Sequence, residues 1–136
     1  MISTLIDAGP LIALFDKDDA FHQRMVECVR TSSGIFVSTW PVITEAMHIL
    51  RRYHLNQRSL LQWIEAGGIR IIEITRDDLA EMIKIFEKYS DVPMDFADCS
   101  IVHLAATNEI EHVLTIDSDF IIYRLRGKKQ FRFLRY

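Results

Sequence analysis

Asp95 and Asp98 stand three residues apart at the start of a run that is otherwise small and apolar, Asp95-Phe-Ala-Asp98-Cys-Ser-Ile-Val-His-Leu-Ala-Ala106. On a helix, residues i and i+3 share a face, so both carboxylates can point the same way. Pro93 suits a helix start. Ala97, Ile101, Leu104 and Ala105 supply an apolar stripe, and Ala105 and Ala106 allow another element to come close. Compensation of the helix dipole explains one such acid, at about a few tenths of a kcal/mol. Other acids lie at comparable points. Asp7 ends the apolar stretch Ser3-Thr4-Leu5-Ile6, and Asp117 ends His112-Val113-Leu114-Thr115-Ile116, with Asp119 two residues on. Ligand sites of α/β folds lie at the C-terminal ends of parallel strands. Each acid also has a plain structural reading. Asp7 could serve only to cap the next helix, and Glu45 could lie on the solvated edge of its own.

The elements that must position these acids alternate along the chain. A first strand, residues 3–6, breaks at Ala8-Gly9-Pro10 into a short helix over residues 11–15. Asp18 and Asp19 open a second helix, which Ser32-Ser33-Gly34 ends. Ile35-Phe36-Val37 is the second strand. Ser38-Thr39 offers an N-cap, and Trp40-Pro41 fits the first turn of the helix carrying Glu45. Asn56 caps a helix that Gly67-Gly68 stops. Residues 69–74 read as a third strand, and Thr75-Arg-Asp-Asp78 as a capping box. Residues 112–116 read as a fourth strand, and the alternating stretch 129–134 as a fifth, at an edge. Strands alternating with amphipathic helices specify an α/β sandwich on a mainly parallel sheet of four to five strands.

At 136 residues the chain is one domain, 1–136, by length alone. No apolar run reaches the roughly 18 residues of a membrane span. The N-terminus lacks the basic, apolar and cleavage regions of a signal peptide. Cys28 and Cys99 lie far apart in helices and read as reduced, buried thiols. A cytoplasmic protein is expected. The net charge of −3 argues against a protein that coats nucleic acid, but the charge is uneven. Residues 121–136 hold six basic side chains (Arg124, Arg126, Lys128, Lys129, Arg132 and Arg135) and no acid. Two readings fit: a phosphate-facing strip beside an acidic, metal-binding pocket, or a solubilised edge strand.

Four stretches carry a family resemblance. They are Leu5-Ile-Asp-Ala-Gly-Pro-Leu-Ile-Ala13, Val42-Ile-Thr-Glu45, Met94-Asp-Phe-Ala-Asp98 with Ala105-Ala106, and Leu114-Thr-Ile-Asp-Ser-Asp-Phe120. Together, in this order and spacing, they resemble the PIN (PilT N-terminus) domain family over essentially the whole chain. Within it they look most like the VapC-type toxins of toxin–antitoxin modules. The resemblance implies a metal-dependent endoribonuclease built as an α/β/α sandwich. Its acidic quartet falls on Asp7, Glu45, Asp98 and Asp117, as catalytic and metal-binding residues. The hydroxyl that often precedes the fourth acid falls on Thr115, and Asp95 and Asp119 are supporting acids. Gly9 departs from the pattern, where Ser or Thr is common. The resemblance also implies an RNA substrate, a cognate antitoxin reaching the acidic pocket with a basic residue, and a homodimer. Leu60, Leu61 and Trp63 are candidate interface residues.

Phosphodiester cleavage needs an activated water and stabilised charge on the phosphoryl oxygens, which divalent ions supply. Carboxylates converging without His or Cys point to Mg²⁺ or Mn²⁺ and away from zinc. Asp7 is then the first-choice ligand, Asp98 and Asp117 complete the ion sites, and Glu45 binds a second ion or orients water. His48 forms Glu-x-x-His with Glu45, a single pair in a chain that is no helical bundle. His103 reads as a satisfied helix histidine. No Gly-x-Gly-x-x-Gly or P-loop pattern is present. The alternative function is a non-catalytic PIN-like module that binds RNA or protein with an incomplete metal site. A phosphotransfer receiver is disfavoured, because the second strand ends in Val37-Ser38-Thr39 with no acceptor Asp.

Overall fold

A computed structural model of the chain describes residues 1–126 and 128–136. Among the described residues, five strands form one all-parallel sheet in the order β3-β2-β1-β4-β5, flanked by six α-helices. The strands are β1 (Ser3–Ile6), β2 (Ile35–Ser38), β3 (Arg70–Ile71), β4 (His112–Leu114) and β5 (Arg132–Phe133). The helices are α1 (Ala8–Phe15), α2 (His22–Thr31), α3 (Trp40–Ile49), α4 (His54–Glu65), α5 (Leu79–Lys88) and α6 (Phe96–Asn108). Leu5, Ile6, Val37, Val113 and Leu114 are buried, as the central strands of a parallel sheet covered by helices require.

Strands β3 and β4 are shorter than their apolar runs predict, and the reason lies in their neighbours. β2 turns into α3 after Ser38, so the pairing of β3 ends with Ile72 N–H donating to the Ser38 carbonyl. β1 turns into α1 after Ile6, which pairs with Leu114, so Thr115 and Ile116 leave the ladder. β5 is the expected edge strand but pairs over two residues only. Three helix starts also differ from expectation, and the first is α1, which begins at Ala8 directly after Asp7 and not at residue 11. Asp16 and Asp19 accept from the Asp18 and Phe21 amides, holding a turn ahead of α2. Helix α4 begins at His54, before Asn56. Gly67, at φ +93°, ends α4 as a C-cap glycine should.

Helix α6 is buried on all sides from Ala97 through Ala105, not along one stripe. Its polar side chains are therefore each engaged. The Ser100 hydroxyl meets that of Thr39 at 2.6 Å, tying α6 to the start of α3. His103 Nε2 lies 2.9 Å from Asp78, which closes the capping box with Thr75. Cys99 donates to the Met82 carbonyl, and neither cysteine is in a disulfide. Among the described residues, no buried side-chain nitrogen or oxygen lacks a partner. No helix among them is long and apolar enough to cross a membrane.

Candidate active site

The sheet reverses direction of growth at β1, which lies between β2 and β4, and such a switch point leaves a crevice beyond the strand ends. Asp7 is the residue after β1, and its amide donates to the Leu114 carbonyl across this point at 3.1 Å. Asp117 stands three residues past the end of β4. Asp98 reaches the same place from the first turn of α6. One carboxylate oxygen from each of Asp7, Asp98 and Asp117 lies within 4.8 Å of the others. Asp7 and Asp98 are buried, while Asp117 keeps contact with solvent.

Hydroxyls hold the trio. Thr115 donates to Asp7 Oδ2 at 3.1 Å and accepts from the Asp117 amide at 3.0 Å, so one side chain fixes two acid-bearing segments. Asp117 Oδ1 accepts from the Asp119 amide at 2.9 Å, so Asp119 supports the cluster through its backbone. Asp95 is the N-cap of α6 and accepts from the Asp98 amide at 2.8 Å. Tyr123, fully buried, donates to Asp98 Oδ2 at 3.4 Å. Its ring packs edge-on against Tyr89 and Phe120. Asp7 occupies the N-cap position of α1, yet its side chain makes no capping bond. Helix capping alone therefore does not account for that carboxylate.

The electrostatics match the crowding. Burial, opposed by the Ala8 amide and Thr115 and reinforced by Asp117 and Asp95, pushes Asp7 up to about 6. Burial and the charges of Asp7 and Asp95 push Asp98 up to about 8. Glu45 lies half-buried on α3, outside the trio, and is pushed up to about 7 by desolvation, then by Asp95, Asp7 and Asp117. It lines an open groove together with Asp95, the N-cap of α6. No salt bridge of the described residues involves Asp7, Glu45, Asp98 or Asp117. Three uncompensated carboxylates, with neither His nor Cys among them, fit a hard divalent cation.

The family model described as PIN domain matches residues 4–126. The chain belongs to the PIN domain family. This PIN domain is 24% identical over 115 residues to ribonuclease VapC26 of Mycobacterium tuberculosis, covering 83% of the chain and 85% of that protein. Its fold is similar to that of M. tuberculosis VapC20, a sarcin–ricin loop cleaving toxin, with a TM-score of 0.79, 16% identity, and 85% and 91% coverage of the two chains. A toxin–antitoxin complex from Klebsiella pneumoniae contains a chain with a TM-score of 0.62, 20% identity, and 86% and 89% coverage.

Two sequence expectations need correction. Leu60 is buried in the core and Trp63 packs on Phe15 with ring centroids 5.7 Å apart, which leaves Leu61 as the exposed member of that set. The basic tail does not lie beside the acids as one strip, since two of its cations are turned to another acid. Lys129 and Arg132 lie 3.9 and 3.2 Å from Glu111, at the opposite end of β4, and the Arg124 guanidinium bonds to the carbonyls of Ile121, Ile122 and Tyr123. His48 is exposed beside Arg51 and outside the trio. Sequence reasoning missed Tyr123. Its one signal is the spacing Phe120-Ile-Ile-Tyr123, which puts two aromatic rings on the same side of a turn.

Proposed function

We propose that residues 1–136 form a single nuclease domain that hydrolyses RNA phosphodiester bonds with Mg²⁺ or Mn²⁺, as the toxin of a type II toxin–antitoxin pair. Convergence of Asp7, Asp98 and Asp117 from three separate segments of a PIN domain carries this reading. The similarity to a ribonuclease and to a loop-cleaving toxin supports it, and the similarity to a member of a toxin–antitoxin complex supports an antitoxin partner. A homodimer and a basic antitoxin side chain set against the acids belong to the same proposal.

Asp7, Asp98 and Asp117 would hold the ion. A divalent ion bound there supplies an activated water and neutralises charge on the phosphoryl oxygens. Thr115 orients Asp7, Asp95 fixes the first turn that carries Asp98, and Tyr123 restrains the Asp98 oxygen. Glu45, poised at about 7 on the rim, is matched to take the proton of the attacking water near neutral pH. The test is cleavage of an RNA panel by the purified chain. Cutting should need Mg²⁺ or Mn²⁺, stop in EDTA, and vanish in Asp7→Asn. An inert wild type on every RNA would leave the binding-module reading in its place.

A further inference from the structure

Beside the acidic trio lies an open groove of about 730 Å³ that the trio does not use. Trp40, the first residue of α3, and Phe96, the first of α6, line it with Pro41, Thr44, Glu45 and His48. Both large aromatic residues stand open, at 46% and 44% exposure. Phe96 is not loose, since its ring stacks on Phe86 with centroids 6.5 Å and planes 17° apart. The two helix starts are in turn tied together beneath the groove by the Thr39–Ser100 hydroxyl pair. The outcome is a pair of positioned, solvent-facing aromatic residues, a costly arrangement for a core and a useful one for a flat ligand.

The groove is continuous with the site. Asp95 lines it and also caps Asp98. Glu45 lines it and feels the charges of Asp95, Asp7 and Asp117. Acid side chains in the lining disfavour a phosphate here relative to an uncharged planar group, and every nucleobase offers such a face with edges that hydrogen-bond to carboxylates and hydroxyls.

We infer that this groove takes one unpaired nucleobase of the RNA strand, next to the phosphate cut at the trio, with Trp40 and Phe96 as the stacking residues. The inference rests on the nuclease reading of Asp7, Asp98 and Asp117. It narrows the substrate to a strand that is unpaired at the nucleotide flanking the scissile bond.

Trp40 and Trp63 are the two tryptophans of the chain. Trp63→Phe therefore leaves Trp40 as the sole indole reporter. Single-stranded RNA hexamers mixed with this protein in Mg²⁺ in a stopped-flow cell should quench Trp40 fluorescence before cleavage. Trp40→Ala should weaken hexamer binding by roughly 5- to 150-fold, the range for loss of one stacked base. Trp40→Tyr should recover most of that loss, which a folding defect would not. A hexamer with an abasic nucleotide at the stacked position should lose as much as Trp40→Ala does, and the two together should lose no more than either alone. Hexamer binding and cutting unchanged in Trp40→Ala, or losses that multiply, would overturn the stacking, leave the nuclease reading standing and turn the groove toward a protein partner. A wild type that neither binds nor cuts RNA would overturn both.

Discussion

Replacing Asp7 by Asn removes one charge at nearly constant volume and should make the metal-free protein more stable while abolishing cleavage. Asp7 is 5% exposed and its carboxyl is raised to about 6, against an unfolded value of about 4. Two pH units correspond to about 3 kcal/mol, because each unit is about 1.4 kcal/mol. The sign follows from linkage. A raised folded pKa contributes stability that is fully present below about pH 4 and is lost as the pH climbs through about 6. At neutral pH the metal-free wild type therefore carries most of that penalty, and Asn carries none. Asn can still accept from Thr115 but is a weaker acceptor than the carboxylate. At roughly 3–5 °C per kcal/mol for a chain of this size, the net gain is a rise of about 5–10 °C in Tm. Paired melts in EDTA should show this gain at about pH 7.5 and its disappearance near pH 4. Added Mg²⁺ binds the folded state and stabilises the wild type more than the mutant, so the gap should close. An Asp7→Asn protein that melts below wild type in EDTA at neutral pH would refute the reasoning and make Asp7 a structural residue of α1.

Tyr123→Phe keeps the aromatic packing and deletes the hydroxyl on Asp98. It should weaken Mn²⁺ binding by roughly 10-fold, as loss of a group behind a metal ligand does, and calorimetric titration would detect an unchanged affinity. Leu60→Ala should destabilise by about 2–5 kcal/mol and Leu61→Ala by about 0.5 kcal/mol or less in urea melts, because Leu60 alone of the two is fully buried. Lys129→Gln with Arg132→Gln should change the salt dependence of RNA binding by well under the slope of about 1.4 that two free phosphate contacts give on single strands. Those cations are already set against Glu111, and a full change would return them to the phosphate strip. Light scattering at about 50 μM should report a dimer, and a strict monomer would count against the homodimer.

The sheet and its acids were legible because two physical signals coincide in the chain. Short apolar runs bounded by turn residues mark the strands, and Asp7 and Asp117 each close such a run. That coincidence also located the crevice. Strand lengths were not legible. The pairing of β3 and β4 stops where β2 and β1 turn into helices, a property of neighbours and not of the local run. Helix α6 misled for a related reason. Its small residues suggest one apolar stripe, yet it is enclosed on all sides, and that enclosure raises Asp98 so far. An amphipathic pattern likewise names the residues of a face without saying what covers it, so Leu60 passed for an interface residue. Tyr123 and the Trp40–Phe96 groove depend on side chains meeting across elements, and a linear pattern carries no distance.

The chemistry at the trio can be read from the ends it leaves. Asp7, Asp98 and Asp117 converge without a histidine among them, so the attacking group should be a water and not the ribose 2′-hydroxyl. Cleavage of an end-labelled RNA in Mg²⁺, with products resolved by mass, should give termini free of 2′,3′-cyclic phosphate. A single 2′-deoxynucleotide at the scissile position should still be cut. Cyclic phosphate ends, or an uncut deoxy substrate in a chain that cuts the all-ribose strand in EDTA, would contradict metal-dependent hydrolysis at these three carboxylates.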